Sequence, residues 1–207
     1  MAINTYGTLK TAVATWLNRA DLTSYIPDLI TLAEQRINYG SDGQYLSQPL
    51  RIPAMQARAT GTITSSVIAY PTRFLEPIRL VASSGGNSWP LDYAAPYDFT
   101  NSTNGSGVPS YYTLLNNQIE TAGTGAATYT LDYYQAFSAL TADADTNWLL
   151  TNAPGVYLYS SLIESAPFLG DGQPMQTWLA MLNSSIAAVN RATKYQGGGA
   201  LAARVVR

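Results

Sequence analysis

The sequence predicts an α+β protein in which an N-terminal helix pair and C-terminal helices form one helical bundle, with a small antiparallel β insertion in the middle. Three observations predict it. Apolar residues recur at helical spacing near both ends of the 207-residue chain. The period changes to that of strands and turns between about Thr60 and Phe137. Near the C-terminal end, "NWLLTNAPGVYLYSSLIESAPFL", Asn147 to Leu169, carries one charged side chain, Glu164, in twenty-three positions, and is apolar nearly all round. The implied segments are an N-terminal helical part of the bundle, 1–59, a β-rich insertion, 60–137, a C-terminal helical part, 138–196, and a flexible tail, 197–207.

Each element follows from local pattern. Tyr6, Leu9, Val13, Trp16 and Leu17 share one face through "YGTLKTAVATWLN" and predict a first helix. "RADLTSY" turns the chain. "IPDLITLAEQRINYG" then sets Ile26, Leu29, Ile30, Ala33 and Ile37 on one stripe, with Pro27 in the first turn and Gly40 as the C-terminal stop. So short a link makes the two helices an antiparallel pair. The connector "SDGQYLSQPLRIPAMQARA" leads to "TGTIT", "PIRLVAS", "YYTLLN", "QIET" and "ATYTLDYYQAF", all rich in β-branched and aromatic residues. In the last of these Tyr129, Leu131 and Tyr133 share one face and Thr130, Asp132 and Tyr134 the other, the pattern of a half-buried strand. "NNQ" and "AGTGAA" supply hairpin turns, and "APYDFTNSTNGSGVPS" is a long polar loop after a single helical turn.

Beyond Phe137, Asn152 is the expected cap of a helix with Pro154 in its first turn, followed by Val156, Tyr157, Leu158, Tyr159, Leu162 and Ile163. Asp171 is the expected cap of a last helix. Its stripe is Met175, Trp178, Leu179, Leu182, Ile186 and Val189, and its basic end, Arg191 and Lys194, suits the helix dipole.

Composition limits the chemistry. Only 12% of residues are charged and the formal net charge is -2, so no strong field exists for gripping nucleic acid. Cysteine and histidine are both absent, which removes Ser-His-Asp and Cys-His nucleophiles, the usual proton shuttle and the common metal ligands. Carboxylate pairs remain possible, but thirteen scattered acids single out none. "DADTNW" opens like a calcium loop at Asp143, Asp145 and Asn147, then fails at Trp148, where the loop needs Gly, and at Pro154, where it needs Glu. An acidic solvent turn is the better reading. "NGSGVP" and "AGTGAAT" lack the Lys and following helix of a phosphate cradle. The opening "MAINTYGTLKTAVATWL" has no basic region before an apolar core, and no apolar run approaches the ~18 residues of a membrane span. No enzyme activity, cofactor, metal site or membrane association is therefore expected. Fifteen tyrosines suit cores and interfaces, with sugar stacking as the alternative use.

Two long stretches, "YGTLKTAVATWLNRADLTSYIPDLITLAEQRIN" and "DYYQAFSALTADADTNWLLTNAPGVYLYSSLIESAPFLGDG", resemble the signature regions of tailed-phage head-to-tail adaptor (connector) proteins. Both stand in the family's order around a strand-rich middle. Tyr39 and Gly40 stand where that family is more basic, and Gly155 where an acidic residue is commoner. The resemblance implies a structural virion protein at the head–tail interface, assembled in the host cytoplasm. It implies a ring, typically of twelve copies, joining the portal protein to a downstream tail or nozzle protein. The genome would pass through its channel at ejection without sequence-specific binding. A tail-tube or tail-completion protein, or a Tyr-based carbohydrate-binding module, is the alternative. Trp16, Trp148, Leu149, Tyr157, Tyr159 and Trp178 are the expected core or subunit-interface residues. The tail residues Leu201, Arg204, Val205, Val206 and Arg207 are expected to dock on the portal, ordering there from a disordered or extended free state.

Overall fold

The computed structural model describes residues 2–40, 49–102, 107–123, 125–169 and 173–196. The chain divides into two compact units, one made of Met1–Ala54 and Phe137–Arg207, the other of Met55–Ala136.

The first unit is helical. Helix α1, Tyr6–Leu17, starts at Thr5 in a capping box with Thr8 and ends at Asn18 in the left-handed conformation. A 3-10 turn, Ala20–Tyr25, leads into α2, Ile26–Tyr39, which has Pro27 in its first turn and stops at Gly40 with φ 76°. After the second unit come α4, Trp148–Asn152, α5, Pro154–Glu164, α6, Ala166–Leu169, and α7, Gln173–Gln196. Helix α5 packs against α1, α2, α4, α6 and α7. Val156, Tyr157, Leu158, Leu162 and Ile163 are buried on it, as are Ser160 and Ser161, so the apolar segment is enclosed by its own chain. Its two broad faces differ. Tyr157 reaches Glu34 of α2 and Glu164 reaches Arg36, whereas Gly155, about half a turn away around the axis, lies so close to Ser185 of α7 that a Cβ there would approach its hydroxyl to 2.8 Å.

The second unit contains β1, Gln56–Thr62, β2, Val67–Ala69, β3, Phe74–Ser84, β4, Asn87–Pro90, β5, Asp92–Tyr93, the helix α3, Pro96–Ser102, then β6, Tyr111–Leu115, β7, Gln118–Ala122, and β8, Thr128–Gln135. One sheet has the order β1-β8-β3-β4 and the other β2-β7-β6-β5. Leu80, Ala82, Leu131 and Tyr133 of the first sheet and Ile68, Tyr112 and Ile119 of the second share one apolar core. The opposite face of the first sheet is polar. There Arg58, Asp132 and Arg79 stand side by side across β1, β8 and β3, and both guanidinium groups donate to the one carboxylate, at 2.6 Å from Arg58 and 2.8 Å from Arg79. The Arg58 hydrogen bond, more than the Arg79 one, holds the Asp132 carboxyl below its usual range.

A helical bundle carrying a small antiparallel β insertion is therefore not the architecture. Strands build two four-stranded sheets, one of them mixed because β5 and β6 pair in parallel, and the described residues hold seven α-helices. The difference has a physical origin. Strands β2, β4 and β5 are two to four residues long, too short to show alternation. Turns and partners hold them instead: Gly85 and Gly86 take positive φ between β3 and β4, Ser65 and Ser66 do so before β2, and Ala94 N–H donates to Tyr112 O beside β5. Strand β1 also begins before Thr60, because "QARA" carries no β-branched residue.

The helix starts differ as well. Asn147, not Asn152, is the cap: its side chain accepts from Leu150 N–H at 2.9 Å and opens α4. Asn152 closes α4, donating to Trp148 O at 2.8 Å. Asn147 Nδ2 donates to Ser138 O at 2.9 Å and to Tyr157 Oη at 2.8 Å. Tyr157 in turn donates to Glu34 Oε1 at 3.3 Å, which also accepts from Leu140 N–H at 3.3 Å. Burial is the main cause that raises the Tyr157 hydroxyl pKa, with Glu34 adding to it, so this group stays a donor at every ordinary pH.

Replacing Asn147 by Ala removes a helix cap and a buried partner of Tyr157, and should cost about 2 to 3 kcal/mol of unfolding free energy in urea titration. Glu34 has its pKa raised, chiefly by desolvation and against the hydrogen bonds from Leu140 and Tyr157. With the folded value above the unfolded one, its contribution to stability is fully present below the unfolded carboxylate pKa and is lost as pH rises through the raised value. The difference in unfolding free energy between wild type and Glu34→Gln should therefore drift against the wild type as pH rises through that window. A pH-independent difference would show that Glu34 does not titrate as the burial requires.

Candidate interaction surface

In the helical unit, α2 carries large exposed side chains on its outer face. The inner stripe, Ile26, Leu29, Ile30, Ala33 and Ile37, is buried. The outer one is exposed, yet it is not a solvated polar face: Leu32 is 46% and Tyr39 71% exposed. Tyr25, 49% exposed, stacks on Phe168 of α6 with ring centroids 5.8 Å apart. Leu32, Gln35, Arg36, Tyr39, Gly40 and Glu164 line a shallow hollow of about 380 Å³. Its floor is fixed by the half-buried ion pair of Arg36 with Glu164 across α2 and α5, which positions both helices beneath the apolar rim. Leu32 and Tyr39 are thus large side chains left in water beside this hollow, the kind of exposure that marks a candidate interaction surface.

A second concavity, about 410 Å³, lies between α4, the start of α5 and α7, lined by Trp148, Asn152, Ala153, Gly155, Ser185, Ala188, Val189 and Ala192. Trp148 is half-buried at its mouth and stacks on Phe137 at 6.1 Å. Leu149, Tyr157 and Trp178 are buried. Trp16, 46% exposed, meets the half-buried Tyr159 edge to face at 5.7 Å. The six residues expected at a core or an interface are thus spread over core and surface, and no single site unites them. In the second unit Tyr93, Tyr97 and Tyr111 are exposed.

The acidic turn has a structural task. Asp145 accepts from Thr141 N–H at 2.8 Å and Ala142 N–H at 2.7 Å, bonds that hold its carboxyl below the usual range. The carbonyls of Asp145 and Asp143 receive Tyr6 and Gly7 N–H at 2.8 and 3.0 Å, which satisfies the first turn of α1. Lys10 closes the contact on Asp143 at 2.6 Å. No group of side chains among the described residues could hold a metal ion, and no described helix is long and apolar enough to cross a membrane. The expected portal-docking residues Leu201, Arg204, Val205, Val206 and Arg207, and the expected cap Asp171, lie outside the described residues.

The family model described as SU10 adaptor protein matches residues 4–204. No curated protein matches the chain.

The two kinds of aromatic residue should separate on mutation. Trp148→Ala forfeits a stacked pair and half a side chain's burial, about 2 kcal/mol in urea denaturation, while Tyr39→Ala should stay within about 0.5 kcal/mol of wild type. Equal losses would mean that Tyr39 is held by its own fold and is not presented to a partner.

Proposed function

The chain belongs to the SU10 adaptor protein family, a family of phage head-to-tail adaptors, and we propose that it forms a ring beneath the portal that joins the portal to the tail and leaves a channel for the genome. The family match across residues 4–204 carries this reading. The exposed outer face of α2 supports it, because a monomer gains nothing by leaving Leu32 and Tyr39 in water, whereas a ring subunit covers such side chains with a neighbour. The role is positional and needs no bond-making step. Its partners are the portal protein, a tail or nozzle protein and further copies of itself, twelve in the complete ring. Genome DNA passes without base-specific contact, in keeping with a chain of net charge -2. The place of action is the virion, after assembly in the host cytoplasm.

The tail has a part in this reading. Gly197, Gly198 and Gly199 precede Leu201, Arg204, Val205, Val206 and Arg207. So short a segment has too little apolar surface to fold alone, but it can lie in a groove of the portal with its arginines on acidic groups.

Two measurements test the proposal. Mixed with the portal protein of the same genome, the full chain should assemble into closed rings visible by negative-stain electron microscopy, while alone it should sediment mainly as small species. Absence of rings with portal present would sink the reading. Truncation after Gln196 should leave the melting temperature within the range of surface substitutions and weaken portal binding at least tenfold. Unchanged binding would rule out docking by the tail.

A further inference from the structure

The outer stripe of α2 has a counterpart on α7. Asp28, Leu32, Gln35 and Tyr39 follow the spacing i, i+4, i+7, i+11 on the face opposite the buried stripe, and all four are exposed. On α7, Trp178, Leu182 and Val189 point inward. Ala180, Ser184, Ala187 and Arg191 stand on the opposite face with the same spacing, and they too are exposed. Helices α2 and α7 pack on opposite faces of α5, so the two stripes look outward from the two flanks of one unit.

Run antiparallel, the stripes match residue by residue. Asp28 meets Arg191, Leu32 meets Ala187, Gln35 meets Ser184 and Tyr39 meets Ala180. Each stripe runs over eleven residue steps, about 16 Å of helix, so all four pairs form in one register. Large side chains face small ones, which lets a Leu and a Tyr sink against the α7 backbone as ridges into grooves. Asp28 and Arg191 make no ion pair within the chain among the described residues. A parallel arrangement would instead set Asp28 against Ala180 and Arg191 against Tyr39, with neither charge matched.

We propose that the outer face of α2 in one copy of this chain docks antiparallel on the outer face of α7 in the next, and that this contact closes the ring. The inference rests on the ring reading above and names the surfaces that realise it. Because the two faces differ and lie on opposite flanks, the contact is head-to-tail and repeats from copy to copy without self-pairing.

The chain has no cysteine, so introduced pairs report cleanly. Full-length Leu32→Cys/Ala187→Cys, assembled on the portal protein encoded with it and oxidised, should give a ladder of covalent multimers on a non-reducing gel. Neither single-cysteine variant should give species beyond a dimer. Reversal of one charge, Asp28→Arg or Arg191→Asp, should weaken assembly about fivefold per contact, and the two reversals combined should recover most of it, with melting temperatures recorded for each variant to separate assembly from folding. Rings that form without the ladder overturn the interface and leave the adaptor reading standing, as does a double reversal no better than the single ones. Wild-type chain that forms no ring on the portal overturns both.

Discussion

The helical unit depends on enclosing α5, and the tyrosine hydroxyl within that enclosure ties the helix to both parts of the chain. Tyr157 is buried, as are Leu158, Leu162 and Leu149, but its hydroxyl must keep a partner, because an orphaned buried donor costs about 1 to 3 kcal/mol. It is given two, Glu34 from the N-terminal part of the chain and Asn147 from the C-terminal part. Asn147 cannot serve Tyr157 without also opening α4 and holding the carbonyl of Ser138. One phenol thereby fixes the position of α2, the entry of the chain after Phe137 and the start of the helix pair that leads to α7.

That arrangement explains what pattern alone could and could not convey. The stripes of α1 and α2, the stop at Gly40 and the enclosed run from Val156 to Ile163 were legible because each is a periodic or positional signal carried within one segment. The network was not, since Glu34 looks like any polar residue next to Ala33 and acquires its role only when Leu140 and Tyr157 arrive from more than a hundred residues away. The choice between Asn147 and Asn152 as a cap turned on a break at Ala153 that divides α4 from α5. Short strands such as β5 exist through hydrogen bonds to a neighbour, not through any preference of Asp92 and Tyr93. The outer face of α2 was readable in principle: Leu32 and Tyr39 lie off the buried stripe at helical spacing, and two large apolar residues on the wrong face of an amphipathic helix are themselves a signal.

The two units divide their surface chemistry. On the first sheet, Thr60, Thr128 and Thr130 accompany the Arg58–Asp132–Arg79 row and leave a face that is polar but nearly neutral. The helical unit keeps few charges, and several of them are spent inside it: Arg36 with Glu164, Lys10 with Asp143, Arg19 with Asp21. What remains outward on α2 mixes Leu32 and Tyr39 with Asp28, Thr31 and Gln35. A chain so sparing of charge offers shape and apolar area more than a strong field to anything that meets it.

Both ends of the chain belong to the same unit, with Met55–Ala136 between them, and this has a consequence for biosynthesis. The first 54 residues leave the ribosome long before α5 exists. Their buried stripe of Leu9, Val13, Ile30 and Ala33 has no lasting cover, and the amides of Tyr6 and Gly7 have no carbonyls from Asp145 and Asp143 to meet. The strand-rich unit, continuous in sequence, can complete its core first. Closure of the helical unit thus waits for translation to reach α7, and a nascent chain cut before it exposes the surfaces that chaperones and proteases read. The helical unit is in this way completed only by chains that carry α7.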